Sequence, residues 1–133
     1  MTIASAQQRV QGACHCGAVV FSVPAETDFT SATRCDCSFC SRRWAPNASV
    51  ALPDLTIEKG HDKLSLYRWN TGVAKHYFCS GCGIYTFHQR RSDPNYYGVN
   101  VGCFDHLDMQ DYRDAEITDG IHHPSDQSPD DER

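Results

Sequence analysis

Cysteine is the residue type of this sequence with the clearest chemical capacity, because seven of the eight cysteines lie in three groups. The groups are Cys14 and Cys16, then Cys35, Cys37 and Cys40, and then Cys79 and Cys82. Thiolates this close together repel one another unless a cation lies among them. Zinc prefers soft ligands and accepts a tetrahedral cage of sulfur atoms. The spacing therefore predicts two zinc ions rather than disulfides, since a bond across one intervening residue would close a strained ring.

The two cysteine pairs predict one closed zinc site. Cys14 and Cys16 supply two ligands, and Cys79 and Cys82 supply two more from a distant part of the chain. A metal cross-link that closes such a long loop constrains the unfolded chain most in theory. Four protein ligands are typical of a structural site. An alternative stays open at this point, in which Cys79 and Cys82 join the triplet instead.

The triplet Cys35, Cys37 and Cys40 predicts a different site, because three thiolates leave one coordination position of zinc open, as in catalytic sites. A thiol that coordinates a metal ion loses its proton. The chemistry indicated is therefore capture of a thiol substrate and its attack on an electrophile. The fourth ligand is water, a substrate thiol, Cys103 or a histidine, and closure by Cys103 or His15 would make this second site structural as well.

Two arginines, Arg42 and Arg43, follow the triplet after Ser41. Guanidinium groups bind carboxylates through paired hydrogen bonds, so both are candidate contacts for the carboxylates of such a thiol substrate. The alternative is a solvated basic face. We interpret His76 and His88, which lie in predicted strands, as ordinary surface or half-buried residues.

Short strands must position these groups. Apolar and alternating runs bounded by turn residues predict strands at 18–23, 48–52, 64–69, 73–78, 84–88 and 96–101. One helical turn is predicted at 108–113, and no long amphipathic helix. Gly12 and Gly17 bracket the first cysteine pair and indicate a tight turn. The fold class is therefore mainly β, with antiparallel sheets and little helix. Trp44 and the other aromatic residues are interpreted mostly as core or strand-face residues, one or two of which could line a ligand cleft.

The length of 133 residues predicts one domain. We place a flexible N-terminus at 1–9, the zinc-binding domain at 10–124 and a disordered acidic tail at 125–133. The net charge of -5 does not resemble the basic surface of a nucleic-acid-binding protein. The N-terminal residues lack the apolar run of a signal peptide, and no run is suited to spanning a membrane. We therefore expect no nucleic-acid or membrane partner and a cytoplasmic location, where thiols stay reduced.

Three motifs in this order resemble the family of glutathione-dependent formaldehyde-activating enzymes, which also includes centromere protein V. The motifs lie at 12–19, 35–40 and 78–83. The segments 99–105 and 119–124 also resemble the family, so the resemblance extends over roughly residues 10–124. Ser41 departs from the family pattern, in which basic residues directly follow the third cysteine. The role of Arg42 and Arg43 as glutathione contacts therefore carries over only loosely.

The resemblance implies a small β-tent domain that is stabilised by zinc and holds two zinc ions. It implies a structural zinc at Cys14, Cys16, Cys79 and Cys82, and a zinc linked to catalysis at Cys35, Cys37 and Cys40. The implied reaction joins glutathione to formaldehyde to give S-hydroxymethylglutathione, the activity of a carbon–sulfur lyase. The alternative function is a zinc-stabilised interaction module without catalysis, and a weaker one is metal storage or sensing by the triplet.

Overall fold

The computed structural model describes residues 8–68, 74–91 and 93–119. The described part of the chain is mainly β, with antiparallel sheets and little helix, and this confirms the predicted fold class. The strands are β1 (Arg9–Ala13), β2 (Val20–Pro24), β3 (Arg34–Cys35), β4 (Asn47–Ala51), β5 (Thr56–Lys59), β6 (Leu64–Tyr67), β7 (Lys75–Cys79), β8 (Tyr85–Gln89), β9 (Tyr96–Asn100) and β10 (Ile117–Thr118). One short α-helix, α1, spans Cys40–Arg43. Single 3₁₀ turns lie at Leu52–Asp54, His61–Lys63, Val101–Cys103 and Met109–Tyr112.

The strands form two antiparallel sheets and one short parallel pair. The larger sheet has the order β4-β9-β8-β7-β6, and the smaller has the order β1-β2-β5. The parallel pair joins β3 to β10, which are far apart in sequence. In the larger sheet, His76 of β7 lies opposite His88 of β8. The register shifts by one residue beyond Tyr77, and such a β-bulge re-aims the neighbouring side chains.

Aromatic rings join the two antiparallel sheets. Phe21 of β2 packs edge-to-face on Phe87 of β8, with ring centroids 5.2 Å apart, and on Phe104 at 5.5 Å. All three side chains are fully buried in one apolar cluster. Because side chains alternate along a strand, the residue after Phe87 faces away from this core. That residue is His88, and it lies on the side of the sheet that α1 covers.

The predicted strands agree with β2, β4, β6, β7, β8 and β9 to within two residues at each end, and the predicted helical turn at 108–113 contains the observed 3₁₀ turn. Strands β1, β3, β5 and β10 were not predicted. In β1, Gly12 was interpreted as a turn residue but is a buried strand residue. A Cβ atom there would lie 2.8 Å from Cζ of Phe21 and 3.0 Å from Cζ of Phe104, so the absence of a side chain makes room for two core rings.

Several predictions fall outside the described residues. These are the N-terminus at 1–7, the end of the strand at 64–69, the turn at 70–72, the start of the strand at 73–78, the segment 120–124 and the tail at 125–133. Among the described residues, no helix has the length and apolar character needed to cross a membrane.

Gly12→Ala is expected to destabilise the protein, because the new methyl group would overlap the rings of Phe21 and Phe104. Overpacking of this kind typically costs about 1–3 kcal/mol. The measurement is the free energy of unfolding in urea for the protein as purified. Gly81→Ala is the control, since a Cβ at Gly81 meets no atom closer than 3.6 Å. Equal stability of Gly12→Ala and the wild type would contradict the packing argument.

Candidate metal centres

Four cysteines from two distant turns meet at one point. The Sγ atoms of Cys14, Cys16, Cys79 and Cys82 all lie within 4.8 Å of one another. The Sγ atom of Cys16 is 3.7 Å from that of Cys14 and 3.7 Å from that of Cys79. A tetrahedron with zinc–sulfur bonds of about 2.3 Å has edges of about 3.8 Å. The donor atoms and their spacing therefore fit zinc, and all eight cysteines are free thiols.

The two turns that carry these cysteines are built alike. Each ends in a glycine with left-handed backbone, Gly17 and Gly83, both with a φ of 80°. The N–H groups of these glycines donate to the carbonyl oxygens of Cys14 at 3.3 Å and Cys79 at 2.8 Å. Residues with side chains rarely adopt this conformation, so glycine is what allows each turn to close. The sequence interpretation of Gly17 as a turn residue agrees with this geometry.

Backbone N–H groups point at the sulfur atoms of both turns. Val19 donates to Sγ of Cys14 and Gly81 donates to Sγ of Cys79, each at 3.3 Å. Hydrogen bonds from backbone N–H groups, that of Cys16 first and that of Ile84 next, lower the pKa of Cys82 to about 6. Such contacts stabilise thiolates, which are the form that binds a metal ion.

The four-cysteine cluster joins the two antiparallel sheets. Cys14 and Cys16 follow β1 of the smaller sheet, whereas Cys79 ends β7 of the larger sheet and Cys82 precedes β8. Buried Cys14, Cys79 and Val19 form a small apolar cluster of their own. The structure thus brings Cys79 and Cys82 to the first cysteine pair and not to the triplet. That these sulfur atoms bind zinc stays a prediction.

The triplet forms a second group of sulfur atoms. Cys35 ends β3, Cys37 lies in the following turn and Cys40 begins α1, and their Sγ atoms lie within 4.8 Å of one another. The N–H of Cys40 donates to Sγ of Cys37 at 3.3 Å. Hydrogen bonds from the thiols of Cys35 and Cys40 lower the pKa of Cys37 strongly. These contacts favour the thiolate form of Cys37, the form that binds a metal ion.

Neither residue considered as a closing ligand lies in the triplet. Over residues 8–68, 74–91 and 93–119, the group contains three cysteines and no histidine, carboxylate or fourth cysteine. Cys103 is buried in the apolar core, where its thiol donates to the carbonyl oxygen of Tyr85 at 3.5 Å and burial raises its pKa to about 12. His15 is exposed beside the four-cysteine cluster. The donor set of the triplet therefore fits a zinc ion with a position left for a ligand from outside.

A pocket of about 100 Å³ opens beside the triplet. Its walls are Arg34, Cys35, Asp36, Cys40, Ser41, Trp44 and Ile117. Ile117 reaches it because β10 pairs with β3, where Arg34 N donates to Glu116 O at 2.8 Å. Trp44, the C-cap residue of α1, has left-handed backbone with a φ of 57° and is 65% exposed. From the sequence, Trp44 was one of the aromatic residues considered for a ligand cleft. The residues around Ile117 gave no indication that it would line the pocket.

The two arginines after the triplet differ in environment. Arg42 is exposed, and its side chain donates to the carbonyl oxygen of Ser38. Arg43 is half-buried and turns inward, where its Nη2 lies 3.6 Å from Sγ of Cys40. The same guanidinium lies 3.6 Å from the ring centroid of Tyr85 and 4.7 Å from that of Phe39. This arrangement leaves Arg42 as the arginine at the surface, and a contact with glutathione carboxylates stays a prediction.

His76 and His88 are not the surface or half-buried residues that the sequence suggested. Their side chains are 4% and 7% exposed, and their rings stack with centroids 5.0 Å apart. Nδ1 of His76 lies 3.1 Å from Arg43 Nη1, and Nδ1 of His88 lies 3.4 Å from Arg43 Nη2. Burial, followed by the charge of Arg43, lowers the pKa of His76 to about 3 and that of His88 well below its usual range. The alternation of a strand does not reveal that α1 covers this face, so the cluster could not be predicted from the pattern of residues.

Comparisons with known proteins identify the family of this chain. The family model described as "glutathione-dependent formaldehyde-activating enzyme" matches residues 9–118. The chain belongs to this family. A crystal structure of a Rhodobacter sphaeroides protein is similar to this chain, with a TM-score of 0.78 and 48% sequence identity over 82% of this chain and 100% of that one. The family match spans both groups of cysteines, Arg43 and the two buried histidines, so these features lie within the domain that the family shares.

Loss of one cysteine is expected to have different effects in the two clusters. Cys14→Ser should lower the melting temperature sharply, because a structural zinc site contributes folding free energy on the order of several kcal/mol or more. Cys37→Ser should leave a folded chain, because the triplet joins only one short loop to the start of α1. Thermal melting and elemental analysis of both variants are the measurements.

The expected zinc content is two ions per wild-type chain and one per Cys37→Ser chain. Both variants lose one thiol, so each controls for the other. Equal destabilisation by Cys14→Ser and Cys37→Ser would show that the triplet is structural, and zinc-free wild-type protein with disulfides would refute both sites.

Proposed function

We propose that this chain joins a small thiol such as glutathione to formaldehyde or a related aldehyde, as a zinc-dependent carbon–sulfur lyase of the S-(hydroxymethyl)glutathione synthase type. The observation that carries the proposal is the cysteine triplet, which offers three sulfur ligands beside an open pocket. The family name supports the choice of glutathione and formaldehyde. A reducing compartment, the cytoplasm, belongs to the same proposal because the site needs free thiols.

A zinc ion held by Cys35, Cys37 and Cys40 would, when bound, promote loss of the proton from a coordinating thiol. The chain itself supplies the place for the substrates. Cys35 and Cys40 form part of the pocket wall, so a thiol that enters the pocket comes directly to the triplet. In the reaction, the substrate sulfur forms a bond to the carbonyl carbon, the π electrons move to the carbonyl oxygen, and this oxygen takes up a proton. Breakage of the same carbon–sulfur bond is the lyase direction.

Surface charge supports the choice of an anionic thiol. Arg42 lies two residues beyond Cys40 and is exposed, where a guanidinium can pair with a carboxylate in two parallel hydrogen bonds. The proposal therefore gives Arg42 the role of carboxylate contact and gives Arg43, which faces inward, a different one.

A second candidate function is an interaction module without catalysis. The observation that favours it is the apolar surface at the pocket, where Trp44 is 65% exposed and Ile117 is 61% exposed. Exposed apolar residues of this size are typical of binding surfaces. The two functions differ in what the triplet does, since an interaction module needs no exchangeable position on a metal ion.

The catalytic proposal is tested by the exchange rate between free glutathione and its formaldehyde adduct, measured by NMR exchange spectroscopy. Because formaldehyde adds to thiols unaided, the relevant quantity is the rate above that in buffer. The wild type is expected to raise this rate and Cys37→Ser to return it to the buffer value. Cys103→Ala is the control, because it removes a thiol that lies outside the triplet. A wild-type rate equal to that in buffer would favour the interaction module.

Glutathione is expected to bind more tightly than S-methylglutathione, because the methylated sulfur cannot become a thiolate. The two compounds share both carboxylates, so any difference in dissociation constant reports on the sulfur. Calorimetric titration of the zinc-loaded protein measures both constants. If the two constants are equal, the thiol is not what the site recognises.

A further inference from the structure

Arg43 is a cation beside the cysteine triplet, and both of its Nη atoms have polar neighbours. Its Nη1 donates to Nδ1 of His76, and its Nη2 lies 3.4 Å from Nδ1 of His88 and 3.6 Å from Sγ of Cys40. A guanidinium carries only donors, so the contact with His76 requires Nδ1 of that ring to be an acceptor and its proton to lie on Nε2. The rings of Tyr85 and Phe39 flank the guanidinium. Arg43 therefore holds one orientation, with a donor aimed at a ligand sulfur.

The support for this orientation continues into the sheet. The hydroxyl of Tyr85 donates to Oδ1 of Asn47 at 2.5 Å and lies 2.6 Å from Nδ1 of His88. Gly98 makes room for His88, because a Cβ there would lie 2.6 Å from Cε1 of that ring. A buried cation is costly unless it is paired and hydrogen-bonded. Such a costly arrangement is expected where the positive charge of Arg43 has a use, and the triplet is the neighbouring site.

Charge is what distinguishes the surroundings of the two cysteine clusters. Backbone N–H groups of Val19 and Gly81 serve the four-cysteine cluster, whereas the triplet receives a guanidinium N–H in addition to a backbone one. Three thiolates and a zinc ion sum to a charge of −1, and a thiolate as fourth ligand would make it −2. The guanidinium offsets one of these charges from a distance of 3.6 Å.

We propose that Arg43 is a positioning residue of the triplet, whose fixed positive charge and hydrogen bond to Cys40 favour an anionic fourth ligand over a neutral one. The inference rests on the proposed function and adds the basis on which its site selects a thiolate. Arg43 acts through Cys40 and does not touch the substrate. His76 contributes by accepting a hydrogen bond from the guanidinium at its Nδ1.

The test compares two ligands for the triplet in the zinc-loaded protein, 2-mercaptoethanol and imidazole. 2-Mercaptoethanol carries no carboxylate, so a change in its affinity cannot come from a lost carboxylate contact. Arg43→Gln is expected to weaken 2-mercaptoethanol binding about tenfold or more, because a charge at this distance interacts strongly with a thiolate in a partly desolvated site. Imidazole is neutral, and its dissociation constant is expected to change by less than about twofold on the same electrostatic grounds.

Two further variants separate charge from structure. Arg43→Lys keeps the charge and loses the planar fork, so it should recover most of the affinity for 2-mercaptoethanol. Lys59→Gln removes an exposed positive charge from β5 of the smaller sheet and should leave both dissociation constants unchanged. If Arg43→Gln does not fold, the inference is tested by Arg43→Lys alone, and a tenfold or greater loss of 2-mercaptoethanol affinity in that folded variant overturns it.

The hydrogen bond to Cys40 has its own readout, which needs no thiol. A hydrogen bond stabilises the lone pair of a ligand sulfur, so its loss should move the sulfur-to-cobalt charge-transfer band of the cobalt-substituted triplet to lower energy. The contribution of the four-cysteine cluster is subtracted with the spectrum of Cys37→Ser. We expect the shift in Arg43→Gln and not in Lys59→Gln.

The outcomes distinguish the inference from the function on which it rests. If the wild type binds no 2-mercaptoethanol at the triplet, the proposed function fails and the inference fails with it. If the wild type binds this thiol and Arg43→Gln binds it equally well, or loses thiol and imidazole affinity to the same extent, the proposed function stands and the inference is overturned.

Discussion

The structure depends on the meeting of four sulfur atoms from two turns that are more than sixty residues apart. Sγ of Cys16 lies 3.7 Å from Sγ of Cys79, across a sequence separation of 63 residues. One turn belongs to the smaller sheet and the other to the larger, so this single cluster fixes how the sheets face each other. Phe21 and Phe87 then pack at 5.2 Å in the space between them. A domain of this size buries a modest core, and a metal ion held by the four cysteines would offset that shortage.

Because Phe87 of β8 packs into the core, the next residue of the strand faces the opposite side of the sheet. His88 must face outward, and α1 covers it together with His76 of the adjacent strand. Within the described residues, Nε of Arg43 and Nε of Arg90 are buried without a hydrogen-bond partner, which adds to the cost of this polar layer. Replacement of buried ionic groups by apolar residues of similar volume is often neutral or stabilising, so stability alone does not account for such a layer. The layer is therefore better explained by its contact with Cys40 than by stability.

Local sequence patterns predicted the features of this protein that depend on neighbouring residues. Cysteine spacing gave the groups, and alternation gave six strands, because both depend on neighbours within a few residues. The same information missed β10 and the environment of Arg43. Ile117 pairs with Arg34 across 83 residues, and Arg43 contacts His76 and His88, which are 33 and 45 residues away. Gly12 was wrongly interpreted as a turn residue for a related reason, because Phe104, which packs against it, lies in a distant part of the chain.

Strand β3 supports both the pocket and the triplet, so the shape of the pocket and the geometry of the triplet are linked. Arg34 of β3 donates from Nε to the carbonyl oxygen of Trp44 at 3.0 Å, and its guanidinium lies 4.9 Å from the centroid of the indole ring. These contacts hold Trp44 in a left-handed conformation that residues with side chains seldom adopt, and such strain persists only where the surroundings enforce it. Cys35 follows Arg34 directly on β3. The strand that delivers a sulfur ligand thus also fixes the pocket wall, so a change in pocket shape through Arg34 would also disturb the triplet.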